Sequence, residues 1–377
     1  MRRAILVGGA LLAAAAQGTI VAGWYFSRRL LAPEIVPPLH DAEILSASAA
    51  HADAPRTVNL QRTAETCRQG VFGLEVDGGG HAALGHIVAE TESEVTRVVT
   101  DVQGALAAGG RVYVNTIVWN GDPMQSLGMA FESIEFASEL GPMAAWHRPG
   151  RGETWALLVH GYKASRRGGF RHYPLLDELA LPLLSVTYRN DPENPRAPDG
   201  LMQLGAQEWR DVEAAMEWAM ARGAERFVIF GDSMGGGIAC ALYRSSVLAP
   251  RIAALVLDAP VLDWRPVLAL QAKDRRLPGI VAVSSERWIS ARIGFDFDEF
   301  DHLAAADRFE VPILLFHGNE DAVVPFETSE RLAAARPDLV TFFPADGAGH
   351  VQAWNVGPQI YEHRVREFLT GELGLGG

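Results

Sequence analysis

The chain is poor in cysteine. Two in 377 residues, Cys67 and Cys240, cannot build a disulfide framework. They fall in segments that read as separate modules, so no bridge between them is expected, and Cys240 reads as buried filler rather than a thiol nucleophile. Positive charge is also scarce. Lys and Arg number 33 against 46 Asp and Glu, a net charge of −13, which argues against nucleic acid as a partner because that needs clustered positive charge. No Cys/His spacing resembles a metal site, and no Gly-rich segment has the context of a phosphate or dinucleotide loop. There is no internal repeat, and no cofactor is expected. What remains is a globular composition, 48% hydrophobic and 21% charged.

One long apolar run stands out. Arg2 and Arg3 precede Ala4 to Phe26, broken only by Gln17 and Thr19, and Arg28 and Arg29 close it. At about 1.5 Å per residue it reaches roughly 34 Å as a helix, enough for a bilayer core of roughly 30 Å. Trp24 and Tyr25 sit where interfacial aromatics belong. Residues 1–30 therefore read as a single-pass membrane anchor with the acidic body outside the cytoplasm. The rival is a signal peptide cleaved near Ala13 to Ala16, which would leave a secreted protein. Residues 31–56, rich in Ala and Pro, read as a linker. Residues 57–122 read as a small β-rich module, with alternating segments at 70–77, 84–90, 94–100 and 111–119 broken by glycines.

Residues 123–377 have a different rhythm. Short apolar runs recur near 155, 183, 226, 252, 311 and 340, with amphipathic stretches such as 208–221 and 328–335 between them. Strands alternating with helices predict a mostly parallel sheet flanked by helices, with ligands at the carboxyl ends of the strands.

Gly231-Asp232-Ser233-Met234-Gly235 lies between the strand-like Arg226 to Phe230 and a small-residue helical stretch from Gly236. A Gly-x-Ser-x-Gly in that setting predicts a sharp turn that presents the serine oxygen beyond the strand, with Gly231 and Gly235 keeping the neighbours clear. Two later strand ends carry matching chemistry. After Val311 to Phe316 comes Asp321, a carboxylate able to reach a histidine on the next loop. Glu320, Glu327 and Asp258 are the alternative acids, and His317 reads as a packing residue. After Thr341 to Pro344 a glycine-containing loop carries His350, the candidate base. Trp354, just beyond, reads as packing under that loop.

These motifs in the order Ser…Asp…His resemble the α/β-hydrolase superfamily with a serine nucleophile, over about 131–373. The nearest likeness is to esterase-like and serine-aminopeptidase-like branches, through the hairpin-like 131–136 and 141–146 and the segment Leu257 to Trp264. The resemblance implies the α/β-hydrolase fold with a small helical cap at about 261–309. It implies a triad of Ser233, Asp321 and His350. Trp155 to Val159 followed by His160-Gly161-Tyr162 is similar to the turn that gives one oxyanion N–H, here Tyr162, with Met234 giving the other. Asp263, Trp264 and Trp288 are candidate pocket residues, and the cap's Phe295, Phe297 and Phe300 either line an apolar pocket or pack the cap. Asp296, Asp298, Glu299 and Asp301 would attract a cationic group or form a solvated face. The expected substrate is a small-molecule or peptide acyl compound. Ester hydrolysis is the expected reaction, with a peptidase, an acyltransferase or a catalytically silent binding module as alternatives.

Overall fold

The computed structural model describes residues 2–35, 38–49 and 55–375, with side chains from residue 17 onward. Two sheets organise the chain. The first is a closed antiparallel barrel of β1 (Ala42–Ala47), β2 (Thr57–Gln61), β3 (Phe72–Val76), β4 (Gly80–Glu90), β5 (Glu94–Gln103) and β6 (Arg111–Asn115), in the order β1-β2-β5-β4-β3-β6. Alternate side chains point inward, so Ile44, Leu60, Phe72, Leu74, Leu84, Val95 and Val112 fill it. Closure removes the exposed edges that a six-stranded open sheet would carry. Arg97 is buried beside this core, and its guanidinium donates to the carbonyls of Thr66, Arg68, Gly70 and Gly85 at 2.7–3.2 Å. Those bonds tie the β2–β3 connection to β4.

The second sheet has eight strands. They are β7 (Glu132–Ser138), β8 (Gly141–Arg148), β9 (Thr154–Val159), β10 (Leu183–Val186), β11 (Arg226–Asp232), β12 (Ile252–Asp258), β13 (Ile313–Gly318) and β14 (Val340–Ala345), in the order β14-β13-β12-β11-β9-β10-β8-β7. From β14 to β10 the strands are parallel, and the β7–β8 hairpin closes the far edge antiparallel. The central strands are apolar at nearly every position because both faces are covered. Thus Trp155, Leu157, Phe227 and Ile229 join one core, while Ala156, Leu158, Val228 and Phe230 join the other.

Eleven helices complete the described chain: α1 (Arg2–Leu31), α2 (Pro123–Leu127), α3 (Tyr173–Glu178), α4 (Trp209–Met220), α5 (Met234–Ser245), α6 (Trp264–Asp274), α7 (Ile280–Ile293), α8 (Phe297–Phe300), α9 (Glu327–Ala335), α10 (Ala353–Val356) and α11 (Pro358–Leu373). Helices α4, α5 and α9 bury side chains in the first core, α3 and α11 in the second. The excursion between β12 and β13, read from sequence as a cap at about 261–309, holds α6, α7 and α8.

Two boundaries differ from the sequence reading. The barrel begins at Ala42, inside the segment expected to be a linker, because β1 supplies the strand that joins β2 to β6 and closes the barrel. The end of the expected anchor is docked on the body. Gly23 packs against Ser284 of α7, Ser27 and Leu31 are buried, Leu30 O accepts the Tyr162 hydroxyl at 2.6 Å, and Leu31 O accepts Met202 N–H at 2.9 Å. Among the described residues no helix is long and apolar enough to cross a membrane. The side chains of residues 4–16, the first part of the expected span, lie outside the described residues. Hydropathy alone does not separate a helix that faces lipid all round from one whose final turns also face protein.

Candidate active site

Four strand ends converge. Ser233 follows β11 and opens α5 with φ 53° and ψ −119°. That left-handed φ is strained for a residue with a side chain and is held by its surroundings. The flanking glycines are required by contact. A Cβ on Gly231 would stand 2.6 Å from Gly235 O, and one on Gly235 the same distance from His160 O. The loop after β13 supplies Asp321, and the loop after β14 supplies His350.

The geometry joins these three. His350 Nε2 lies 2.8 Å from Ser233 Oγ, and His350 Nδ1 lies 2.7 Å from Asp321 Oδ2. With the Nδ1 proton donated to the carboxylate, Nε2 is free to accept the serine proton. Asp321 Oδ1 accepts the N–H groups of Val323 and Val324 at 2.7 and 2.9 Å. Its Oδ2 also receives His317 Nε2 at 3.1 Å, while His317 Nδ1 faces Ser329 Oγ at 2.7 Å. Burial pushes the Asp321 carboxyl up, but the bonds from His317 and His350 outweigh it and hold the group well below the usual carboxylate range. His317, read from sequence as packing, is buried and also bonds the Asp321 carboxylate. The signal for it was its place four residues before Asp321 at a strand end.

The other acids are engaged elsewhere. Glu320 is exposed and lies 3.5 Å from Arg68. Glu327 opens α9, where a negative charge suits the helix N-terminus. Asp258 is buried 3.6 Å from Arg171, and neither carboxylate oxygen has a hydrogen-bond partner among the described residues. Burial pushes it up to about 7 against the pull of Arg171, and neighbouring Asp232 adds to the rise. Asp232 pairs with the same arginine.

The turn after β9 passes directly beside the serine. A Cβ on Gly161 would lie 3.7 Å from Ser233 Oγ. His160 braces the turn through Asp191 at 2.9 Å and stacks on Tyr188. Tyr162, the next residue in that turn, lines the same cavity as Ser233. Met234 is the first residue of α5, where backbone N–H groups have no intrahelical acceptor and favour negative charge.

Ser233 and His350 open into a cavity of about 770 Å³, within the range of organic-ligand sites. Trp264 lines it, with its indole N–H on Leu204 O at 2.8 Å. Two other expected pocket residues do not reach it. Asp263 caps α6 through Arg265 N–H, and Trp288 lines a separate groove between α1 and α7. Phe295, Phe297 and Phe300 pack among themselves in the cap core. The acidic run is also locally occupied. Asp296 caps α8, Asp301 caps the turn after it, and Asp298 pairs with Arg265. Sequence reasoning missed the wall contributed by Tyr25, Phe26, Arg29 and Leu30 of α1. It also missed the barrel's contact with the histidine loop, where Arg68 donates to Gly347 O at 3.0 Å, Asn355 Nδ2 donates to Val71 O at 2.7 Å, and Trp119 meets Trp354. Among the described residues no group of three or more His, Cys, Asp or Glu side chains is placed to hold a metal ion.

Residues 198–340 match the prolyl oligopeptidase family, a span that includes Ser233 and Asp321 and ends before His350. A solved esterase of Pyrococcus furiosus superposes with a TM-score of 0.56 at 20% identity, covering 68% of this chain and 96% of its own. The chain has an α/β-hydrolase fold. Joined to that fold is the barrel, where residues 44–115 match a domain of unknown function, DUF8805. An uncharacterized protein of Mycobacterium tuberculosis is 27% identical over 233 residues, 61% of this chain and 74% of that one. The lysophosphatidylserine lipase ABHD12 of Danio rerio is 27% identical over 191 residues, 47% of this chain and 45% of its own.

Proposed function

We propose that the protein is a serine hydrolase that cleaves carboxylic esters through an acyl-enzyme. The observation that carries this reading is the placement of His350, within hydrogen-bond distance of both Ser233 Oγ and Asp321. His350 Nε2 takes the serine proton as Oγ attacks the ester carbonyl. The oxyanion rests on the N–H groups of Tyr162 and Met234. His350 then protonates the leaving alcohol, and Asp321 stabilises the imidazolium. Water, deprotonated by the same base, releases the acid and restores the serine. The likeness to an esterase, a peptidase family and a lipase supports hydrolase chemistry.

Ester is preferred over peptide on the shape and charge of the site. The cavity is largely apolar, and the acidic run that would attract a free amine is absent from its lining. The peptidase reading draws on the family match to 198–340. Turnover of p-nitrophenyl acyl esters against aminoacyl p-nitroanilides by the purified 377-residue chain separates the two. The ester reading expects ester cleavage, reduced about 10³-fold or more in Ser233→Ala. Exclusive amide cleavage overturns it.

We also propose that α1 holds the enzyme at a membrane, with the body on the extracytoplasmic side. The apolar run of residues 4–26 supports this, as do the exposed Ile20, Ile280 and Val283 around the α1–α7 groove. Membrane fractionation with protease protection tests it. Recovery in the soluble fraction, or a body shielded on the cytoplasmic side, contradicts it.

A further inference from the structure

The cavity is unusual in its walls and its charge. One side is the cap, through Trp264, Val267 and Leu268 of α6 and Val281 of α7. The other side is the last turn of α1, through Phe26 and Leu30. The site is therefore incomplete without the N-terminal helix. The lining is large and apolar, suited to a chain of methylenes rather than a short acyl group.

Two exposed arginines, Arg29 and Arg275, also line it. In an acidic chain each would be expected to find a carboxylate, yet neither has an ion-pair partner among the described residues. Arg29 donates to the Tyr25 hydroxyl at 3.1 Å. Arg275 donates to Gln271 O and Oε1 at 2.9 and 2.7 Å and lies 5.8 Å from the Phe26 ring. Glu34, close by in sequence, lies 3.8 Å from Arg196 instead. Arg29 is also tied to the reacting centre. It precedes Leu30, whose carbonyl accepts the hydroxyl of Tyr162, and the Tyr162 N–H is the proposed oxyanion donor. Arg29 thus lies on the α1 wall at the point where it meets Tyr162, in the same cavity as Ser233.

We propose, on the serine hydrolase reading, that the site takes long-chain acyl esters whose alcohol part carries an anionic group. The acyl chain lies between α1, α6 and α7, and Arg29 and Arg275 pair with the anion. Hydrolysis adds water across the acyl–oxygen bond, releasing the fatty acid and the anionic alcohol.

The test compares 1-palmitoylglycerol with 1-palmitoylglycerol 3-phosphate in the full chain, as a ratio of kcat/KM. Wild type should prefer the phosphate ester by about tenfold or more, the size of one charge-assisted bond pair. Arg29→Gln with Arg275→Gln should erase the preference, and the charge-retaining Arg29→Lys with Arg275→Lys should keep part of it. A wild-type enzyme with no preference, or a preference unmoved in the glutamine pair, overturns the proposal. Because the wild-type ratio alone is decisive, a poorly folded variant does not rescue it. If Ser233 reacts with a fluorophosphonate but neither lipid is cleaved, the substrate class is wrong. If Ser233 does not react, the hydrolase reading itself has failed.

Discussion

Replacing His317 tests how the Asp321 carboxylate is held. Four donors reach the Asp321 carboxylate: two backbone N–H groups on Oδ1, and His317 and His350 on Oδ2. His317→Phe removes one and leaves the Ser329 hydroxyl without its partner. A hydrogen bond to a charged group is worth about 1.5–3 kcal/mol, which sets the ceiling on the loss at about 10- to 100-fold. The remaining three donors keep the carboxylate in place, so the expected fall in kcat is about tenfold at pH 7 with KM little changed. His317→Gln can still donate to Oδ2 and should recover part of kcat. Stability should follow the linkage sign. The Asp321 carboxyl sits below its unfolded range, so its bonds stabilise the native state above that range and lose this effect as pH falls. The gap in urea midpoint between wild type and His317→Phe should therefore narrow as pH drops through the carboxylate range. Steady-state kinetics on a p-nitrophenyl ester and urea melts at several pH values read both. A kcat for His317→Phe equal to wild type, or no recovery in His317→Gln, rules out this role for His317.

Asp258 makes the opposite prediction. Its folded pKa is raised to about 7, so the native state holds a proton that the unfolded chain has already released. Stability should fall as pH rises from the unfolded carboxylate range through about 7, and Asp258→Asn should flatten that fall in thermal melts. Arg68→Ala removes the barrel's bond to Gly347 and its contact with Glu320. It should lower kcat by about two- to tenfold, the size of one such bond, while the barrel and body stay folded by circular dichroism. Gly235→Ala places a Cβ against the carbonyls of Val159 and His160. It should cost about 1–3 kcal/mol in denaturant unfolding and abolish reaction at Ser233.

The catalytic body was legible because its signals are local. Both faces of the parallel strands are buried, so β9 to β14 stand out as apolar runs. The elbow motif and the residues after β13 and β14 sit at strand ends, where topology brings them together. The β7–β8 hairpin covers 132–148, and helices α6 to α8 fill the excursion between β12 and β13. What stayed hidden depends on contacts distant in sequence. β1 alternates only briefly and is a strand because β2 and β6 flank it. Asp263 and Trp288 are near the site in sequence, but a helix cap claims one and the face of α7 directs the other elsewhere. The α1 wall was unreadable because one apolar helix pattern serves lipid and protein equally. The arginines that end the run read as flanking charges until the docking of Leu30 against Tyr162 placed Arg29 at the cavity.

The proposed hydrolysis requires an activated Ser233. Fluorophosphonate labelling of the purified full chain, with peptide mapping and Ser233→Ala and His350→Ala controls, tests it most directly. A single phosphonylated serine is expected, on the peptide holding Ser233, absent in Ser233→Ala and strongly slowed in His350→Ala. A folded chain that stays unlabelled, or is labelled at the same rate without His350, contradicts it.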